Sequence, residues 1–194
     1  MSKFYSDIDF YLNLNAPKSF LREQLNLYKY GIYYWFVKSD KLSLILNHIP
    51  DPSKLVFNDI NGVDYVLVYI GIGPRNSKTK KQFFNKRILN CHLGNKISNS
   101  TFRLSISSCL GYKGFKKQVG KNLKFLLNPT DEITLTLFIQ NNFALGVHKL
   151  EAPWNIEGQE IGKYQPPLNI INNNNGWNLK NIRSIRKCFR DLSV

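Results

Sequence analysis

The chain has 194 residues, 43% hydrophobic and 13% aromatic, which suffices to bury a sizeable core and excludes a disordered polymer. Its formal net charge of +14 is concentrated: Tyr65 to Thr130 holds 13 Lys and Arg with no Asp or Glu, whereas the flanks carry 14 basic and 13 acidic residues. A folded surface so biased suits a polyanion such as nucleic acid, a plain solubility surface being the competing explanation. The longest apolar run, Tyr65 to Gly73, is too short to span a membrane, and the first residues lack the apolar core of a secretion signal. Cys91, Cys109 and Cys188 show no paired spacing, which speaks against a disulfide framework or a zinc site. A cytoplasmic protein with no membrane contact is expected.

In chain order, a helix is expected from near Asn15, with Pro17 in its first turn, through Leu27. Tyr30 to Val37, which contains Gly31-Ile32-Tyr33, is β-branched and aromatic and reads as a strand. Leu42 to Leu46 is a short apolar segment of undecided type. Asn61-Gly62 is a turn signal leading into a second strand, Tyr65 to Gly73, which contains Tyr69-Ile70-Gly71. The two strands are expected to be antiparallel neighbours in one sheet, with Leu55-Val56-Phe57 as a candidate strand between them. Each sets a tyrosine close to a glycine, where a ligand or another backbone can come near. Taken alone, each reads as a core strand with aromatic cross-strand pairs.

Lys80 to Leu93 has helical periodicity, and Phe84, Arg87, Ile88 and Cys91 share one stripe, so Arg87 lies on the apolar side. A second helix, Thr101 to Leu110, is capped by Ser98 to Ser100 and closed by Gly111. Tyr112 to Lys124, rich in Gly and Lys, reads either as a phosphate-tracking lobe or as a solvated linker. Ile133 to Ile139 alternates like a strand, and Phe143 to Val147 continues the sheet after a turn at Asn141-Asn142. Pro153 opens a helix on which Trp154, Glu157, Ile161 and Tyr164 share a face; a carboxylate there needs a partner or a metal. Glu160 falls to the side, as a surface residue. An asparagine-rich run, Ile171 to Gly176, precedes a basic helix from Asn178 to Asp191. His48 and His148 have no companions at ligand spacing.

Gly31-Ile32-Tyr33, Tyr69-Ile70-Gly71-Ile72-Gly73, Arg87 with His92, Glu157, and Pro167-Leu168-Asn169 resemble, in that order, the GIY-YIG nuclease superfamily, in its bacterial stand-alone, restriction-endonuclease-like members. The resemblance runs from about Gly31 to Asn169. It implies a Mg²⁺-dependent endodeoxyribonuclease, with Mn²⁺ as the alternative ion. Glu157 would bind the metal, Tyr33 act as general base, Tyr69 position water and phosphate, and Arg87 steady the scissile phosphate. Asn169 would support the site, and His92 resembles a histidine of the restriction-like members. The types make chemical sense: cations offset charge building on a phosphodiester, and one carboxylate can hold a largely hydrated Mg²⁺. A phenol is a poor base, with a reference pKa of about 10, so Arg87, Lys86 and the metal are expected to ease its deprotonation. Thirty-five residues separate Tyr33 from Tyr69, more than in compact family members, so an insertion lies between them.

The expected fold is α+β, a small central, mostly antiparallel sheet flanked by helices. The expected organisation is an N-terminal extension with a helix (1–27), a nuclease domain (28–170) with insertions at 38–64 and 112–130, and a linker with a basic helix (171–194). DNA is the expected partner, contacted by Arg75, Lys78, Lys80, Lys81, Lys86, Lys96, Arg103, Lys113, Lys116 and Lys117. One site per chain favours a homodimer, or sequential nicks, for cutting both strands. The rivals are a non-catalytic DNA- or RNA-binding module on a nuclease-like scaffold, and a structural protein with a basic surface.

Overall fold

A computed structural model describes residues 2–3, 8–46, 55–74, 84–94, 96–119, 121–173 and 176–191. The β-branched, aromatic run from Gly31 lies inside the sheet, between two other strands, and buries both of its faces. Six strands form that sheet: β1 (Ser2–Lys3), β2 (Phe10–Leu12), β3 (Gly31–Lys38), β4 (Val56–Ile60), β5 (Val63–Gly73) and β8 (Phe143–Lys149). Their order is β1-β4-β5-β3-β8-β2, antiparallel except for the β1–β4 pair. The two motif strands β3 and β5 are therefore direct neighbours, as expected. The Leu55 to Phe57 segment is not between them. It belongs to β4, on the outer side of β5, because the Asn61-Gly62 turn, with both residues at positive φ, folds β4 back on β5 as a hairpin.

Helices α1 (Lys18–Asn26), α2 (Leu42–Ile45), α3 (Phe84–Lys86), α4 (Thr101–Cys109) and α5 (Pro129–Asn142) precede α6 (Glu157–Tyr164) and α7 (Gly176–Asp191). α3 continues directly into a π-helical turn, Arg87–His92. Ser100 caps α4 by accepting a hydrogen bond from the Arg103 N–H, as its place in the sequence predicts. Among the described residues, no helix is long and apolar enough to cross a membrane.

The segment Ile133 to Ile139 is helical, not a strand. Asn128 caps α5, accepting from the Asp131 N–H, Pro129 opens it, and Asp131 and Glu132 lie in its first turn. Its buried stripe is Glu132, Leu135, Thr136 and Ile139, which has helical spacing, while Ile133 and Leu137 are about half exposed, at 51% and 52%. The lysine-rich stretch after Tyr112 is not a solvated linker. It forms a separate two-stranded hairpin of β6 (Phe115–Val119) and β7 (Asn122–Leu126).

The sheet divides two cores. Tyr33, Trp35, Val37, Val66, Val68 and Tyr69 face α1, α3, α4 and α5, with the Trp35 ring stacked on Phe102 at 4.5 Å, a contact worth about 0.5–1.5 kcal/mol beyond its burial. Ile32, Tyr34, Phe36, Leu67, Ile70 and Ile72 face the other way, toward Ile161 of α6. Strict alternation would set Tyr69 opposite to Val66 and Val68. A β-bulge prevents this: Trp35 pairs with Tyr69 but Phe36 pairs with Leu67, leaving Val68 as the extra residue. Val66 and Val68 thereby join the face that Tyr33 and Tyr69 already share through the regular Tyr33–Gly71 and Trp35–Tyr69 pairs.

Candidate active site

The cleft of interest, about 320 Å³, is lined by Tyr33, Tyr69, Gly71, Arg87, Thr101, Glu157, Leu168, Asn169 and Arg186, among others. Five of the residues expected from the sequence thus meet there, although they come from β3, β5, the π-turn, α6 and the segment after it.

Glycines seat the first of them. Tyr33 lies directly across from Gly71, and a Cβ at Gly71 would come within 2.5 Å of the Tyr33 Cζ. The space beside that glycine is taken by the neighbouring tyrosine rather than left for a ligand. At the strand ends Gly31 pairs with Gly73, and their missing side chains admit Phe84, the first residue of α3, from which the chain climbs to Arg87.

His92 does not line the cleft. It is fully buried behind Tyr33, ringed by Tyr33, Trp35, Tyr69 and Phe102 with centroids 5.1–6.1 Å away. Its Nε2 lies 2.7 Å from the Tyr33 hydroxyl and its Nδ1 2.8 Å from Ser100 Oγ. In an α-helix, residues five apart point to different sides. The π-turn bonds each N–H to the carbonyl five residues back, as Leu93 N does to Ile88 O at 2.9 Å, and so turns Arg87 and His92 toward the same tyrosine.

Burial raises the Tyr33 phenol well above its ordinary pKa, with Arg87 only partly offsetting that and Tyr69 and Glu157 adding to it. Arg87 thus acts in the expected direction, but Tyr33 is 1% exposed and desolvation outweighs it. Burial works against the charge of Arg87, a hydrogen bond to the Tyr33 hydroxyl works for it, and the guanidinium stays ionised. The Arg87 Nε is buried without a hydrogen-bond partner among the described residues.

Tyr69 is held by Thr101, hydroxyl to hydroxyl, at 3.2 Å. Asn169 spends its amide on the strand: Oδ1 accepts from the Ile70 N–H and Nδ2 donates to the Ile70 carbonyl, both at 2.8 Å. One residue earlier, Leu168 N donates to the carbonyl of Val68, the bulge residue, at 2.9 Å. The Pro167-Leu168-Asn169 segment thus clamps the bulged part of β5 that presents Tyr69, which makes Asn169 a positioning residue. Glu160, expected at the surface, is half-buried and accepts a hydrogen bond from Tyr34 at 2.9 Å, on the other side of the sheet.

Arg103 is corrected outright as a nucleic-acid contact. It is completely buried, with Nη2 2.7 Å from Glu132 Oε2, and its Nη1 donates to Thr136 Oγ1 and the His92 carbonyl. It is a strut behind His92. Lys86, Lys96, Lys113, Lys116 and Lys117 are exposed, and Arg75, Lys78, Lys80, Lys81 and His48 lie outside the described residues. Sequence reasoning missed Arg186, which the cleft includes. Its signal was present, since Ile182, Ile185, Arg186 and Phe189 share one helical stripe just as Arg87 shares one with Phe84 and Ile88.

The donor set suits one class of ion. Among the described residues no three His, Cys, Asp or Glu side chains converge, which does not match zinc, whereas Glu157 is the carboxylate at the cleft. A single carboxylate at the cleft fits a hard cation that keeps most of its waters.

A comparison with protein-family models matches residues 31–190 to the GIY-YIG catalytic domain. Neither the curated proteins nor the solved structures contain a match.

Proposed function

Because the chain belongs to the GIY-YIG catalytic-domain family, a family of nucleases, we propose that it is a DNA endonuclease that hydrolyses phosphodiester bonds at this cleft with Mg²⁺ or Mn²⁺. The observation that carries this reading is the convergence of Tyr33, Tyr69, Arg87 and Glu157 on one cleft, with the Tyr33 hydroxyl already bonded to an imidazole.

Glu157 would hold the divalent ion, which when bound supplies Lewis-acid polarisation of the scissile phosphate. The remaining chemistry falls to the chain's own groups. Tyr33 need not become a free phenolate. Its oxygen takes a proton from the attacking water while its own proton passes to His92 Nε2, so its raised pKa is no obstacle. Ser100 Oγ already accepts from the Arg103 N–H and has a second lone pair that can take a proton on His92 Nδ1; in that tautomer Nε2 is the acceptor this relay requires. The new hydroxide attacks phosphorus, the P–O bond to the leaving sugar oxygen breaks, and that oxygen takes a proton from water. The His92 proton returns through Tyr33 to the hydroxide so formed. Arg87 donates to the phosphate oxygens as their charge grows. Tyr69, fixed by Thr101, orders the phosphate.

The substrate class is supported by charge. The β6–β7 hairpin sets Lys117 directly opposite Lys124, a like-charge pair that costs stability unless an anion lies over it. Lys86, Lys96, Lys113 and Lys116 add exposed cations for a nucleic-acid backbone. With one cleft per chain, cutting both strands requires a homodimer or two nicks.

The test is plasmid cleavage by the purified chain with Mg²⁺, run beside an RNA of equal length. Cleavage should vanish with EDTA and in Glu157→Ala while duplex binding persists. Tyr33→Phe should slow turnover by about 10²–10⁴-fold with the thermal midpoint kept. A Glu157→Ala protein that still cuts removes the metal assignment; a wild type that binds DNA with steep salt dependence but never cuts is a binding module instead.

A further inference from the structure

The terminal helix α7 reaches the cleft through Arg186, and its surroundings are those of a residue awaiting an anion. One edge of its guanidinium is tied down. Nε donates to Ser105 Oγ at 2.9 Å, and Nη2 bonds the same hydroxyl together with the carbonyls of Thr101, at 3.3 Å, and Leu168, at 3.2 Å. These partners sit beside the residues that position Tyr69 and grip β5, so Arg186 is registered to the same framework as the candidate catalytic groups. The other nitrogen, Nη1, makes no hydrogen bond with any described residue, and the side chain lines the cleft with Tyr69, Thr101 and Asn169.

The charge around it is equally one-sided. Among the described residues Arg186 has no carboxylate partner. Burial pulls its pKa down to about 10; the Tyr69 phenol pulls the other way, and the nearby cation of Arg190 adds to the decrease. A half-buried cation held on neutral acceptors is costly in the empty cleft, and that cost is relieved when an anion arrives. The guanidinium fork, with one edge anchored and one edge open, is the geometry that takes a phosphate oxygen.

We propose that Arg186 is a second phosphate-binding guanidinium of the cleft, holding a backbone phosphate of the nucleic-acid substrate beside the one that Arg87 faces. This deepens the nuclease reading and rests on it. The C-terminal helix is then part of the substrate site: its packing against α4 delivers a cation that the sheet and the π-turn do not supply.

The experiment measures binding of a short DNA duplex to the full chain over a range of salt, without divalent metal, for the wild type, Arg186→Gln and Arg186→Lys. Arg186→Gln should weaken binding about tenfold and lower the slope of log affinity against log salt by about one, while Arg186→Lys keeps the slope. A merely structural arginine would shift the melting midpoint and leave the slope alone. Should Arg186→Gln fail to melt cooperatively, wild-type protein carries the test: a dicarbonyl reagent that modifies arginine should label Arg186 in the free chain and less when duplex is bound. An unchanged slope in a folded Arg186→Gln, or equal labelling with and without duplex, overturns the proposal. Loss of the nuclease reading looks different, as wild-type protein that binds duplex but does not cleave it with Mg²⁺.

Discussion

Two regions of this protein each bury arginine, and they do so to opposite ends. Between α4 and α5, Arg103 is wholly enclosed and meets a carboxylate, Glu132, whose other oxygen accepts from the Ile97 N–H at 2.7 Å. In the cleft, Arg87 and Arg186 are held against phenols, a hydroxyl and carbonyls, and among the described residues neither makes an ion pair. Among the described residues Arg87 and Arg103 each leave Nε unbonded, so that atom alone does not separate the regions. The counter-charge does. Where the chain supplies its own anion, a buried cation is structure; where it does not, an anion from outside would offset the cation, as proposed for Arg87 and Arg186.

The comparison breaks most readily at Glu132. Replacing one member of a buried, hydrogen-bonded pair strands its partner, so Glu132→Gln should cost on the order of 3–5 kcal/mol in chemical denaturation. If it instead leaves stability untouched and abolishes cleavage, the division fails. Arg87→Met should do the reverse. Removing a transition-state donor lowers turnover by about 10²–10³-fold, while the denaturation midpoint holds or rises because an unpaired buried cation has gone. Denaturation and single-turnover cleavage of the same two preparations decide it.

A smaller effect sharpens the geometry of the cleft side. Gly71→Ala forces a methyl against the Tyr33 ring, and overpacking of this kind costs about 1–3 kcal/mol. Cleavage should fall with it although no reacting group has changed, and Tyr33→Phe should then make little further difference. The smallest effect is a pH dependence. Tyr33 ionises in the unfolded chain near its ordinary value of 10 but resists ionisation when folded. The stability linked to it is therefore complete below pH 10 and lost as the pH rises toward the folded pKa. Melting midpoints above pH 10 should fall less steeply in Tyr33→Phe than in the wild type.

What the sequence determined by itself is local. β-branched and aromatic runs specify β3 and β5, Asn61-Gly62 specifies the hairpin before β5, and Ser100 specifies the start of α4, because each depends on neighbours a few residues away. The order of Tyr33, Tyr69, Arg87, Glu157 and Asn169 was legible too, and so was the family. Other features needed the tertiary structure. The stripe of α5 reads poorly as a core face since Glu132 and Thr136 occupy it, and only Arg103, 29 residues earlier, makes those positions buriable. Val66 and Val68 share the face of Tyr33 and Tyr69 by virtue of a bulge whose carbonyl is taken by Leu168, a hundred residues on. Arg87 and His92 meet one tyrosine through a π-turn that no spacing rule for an α-helix anticipates. In each case the deciding partner is distant in the chain, and periodicity reports only on what is near.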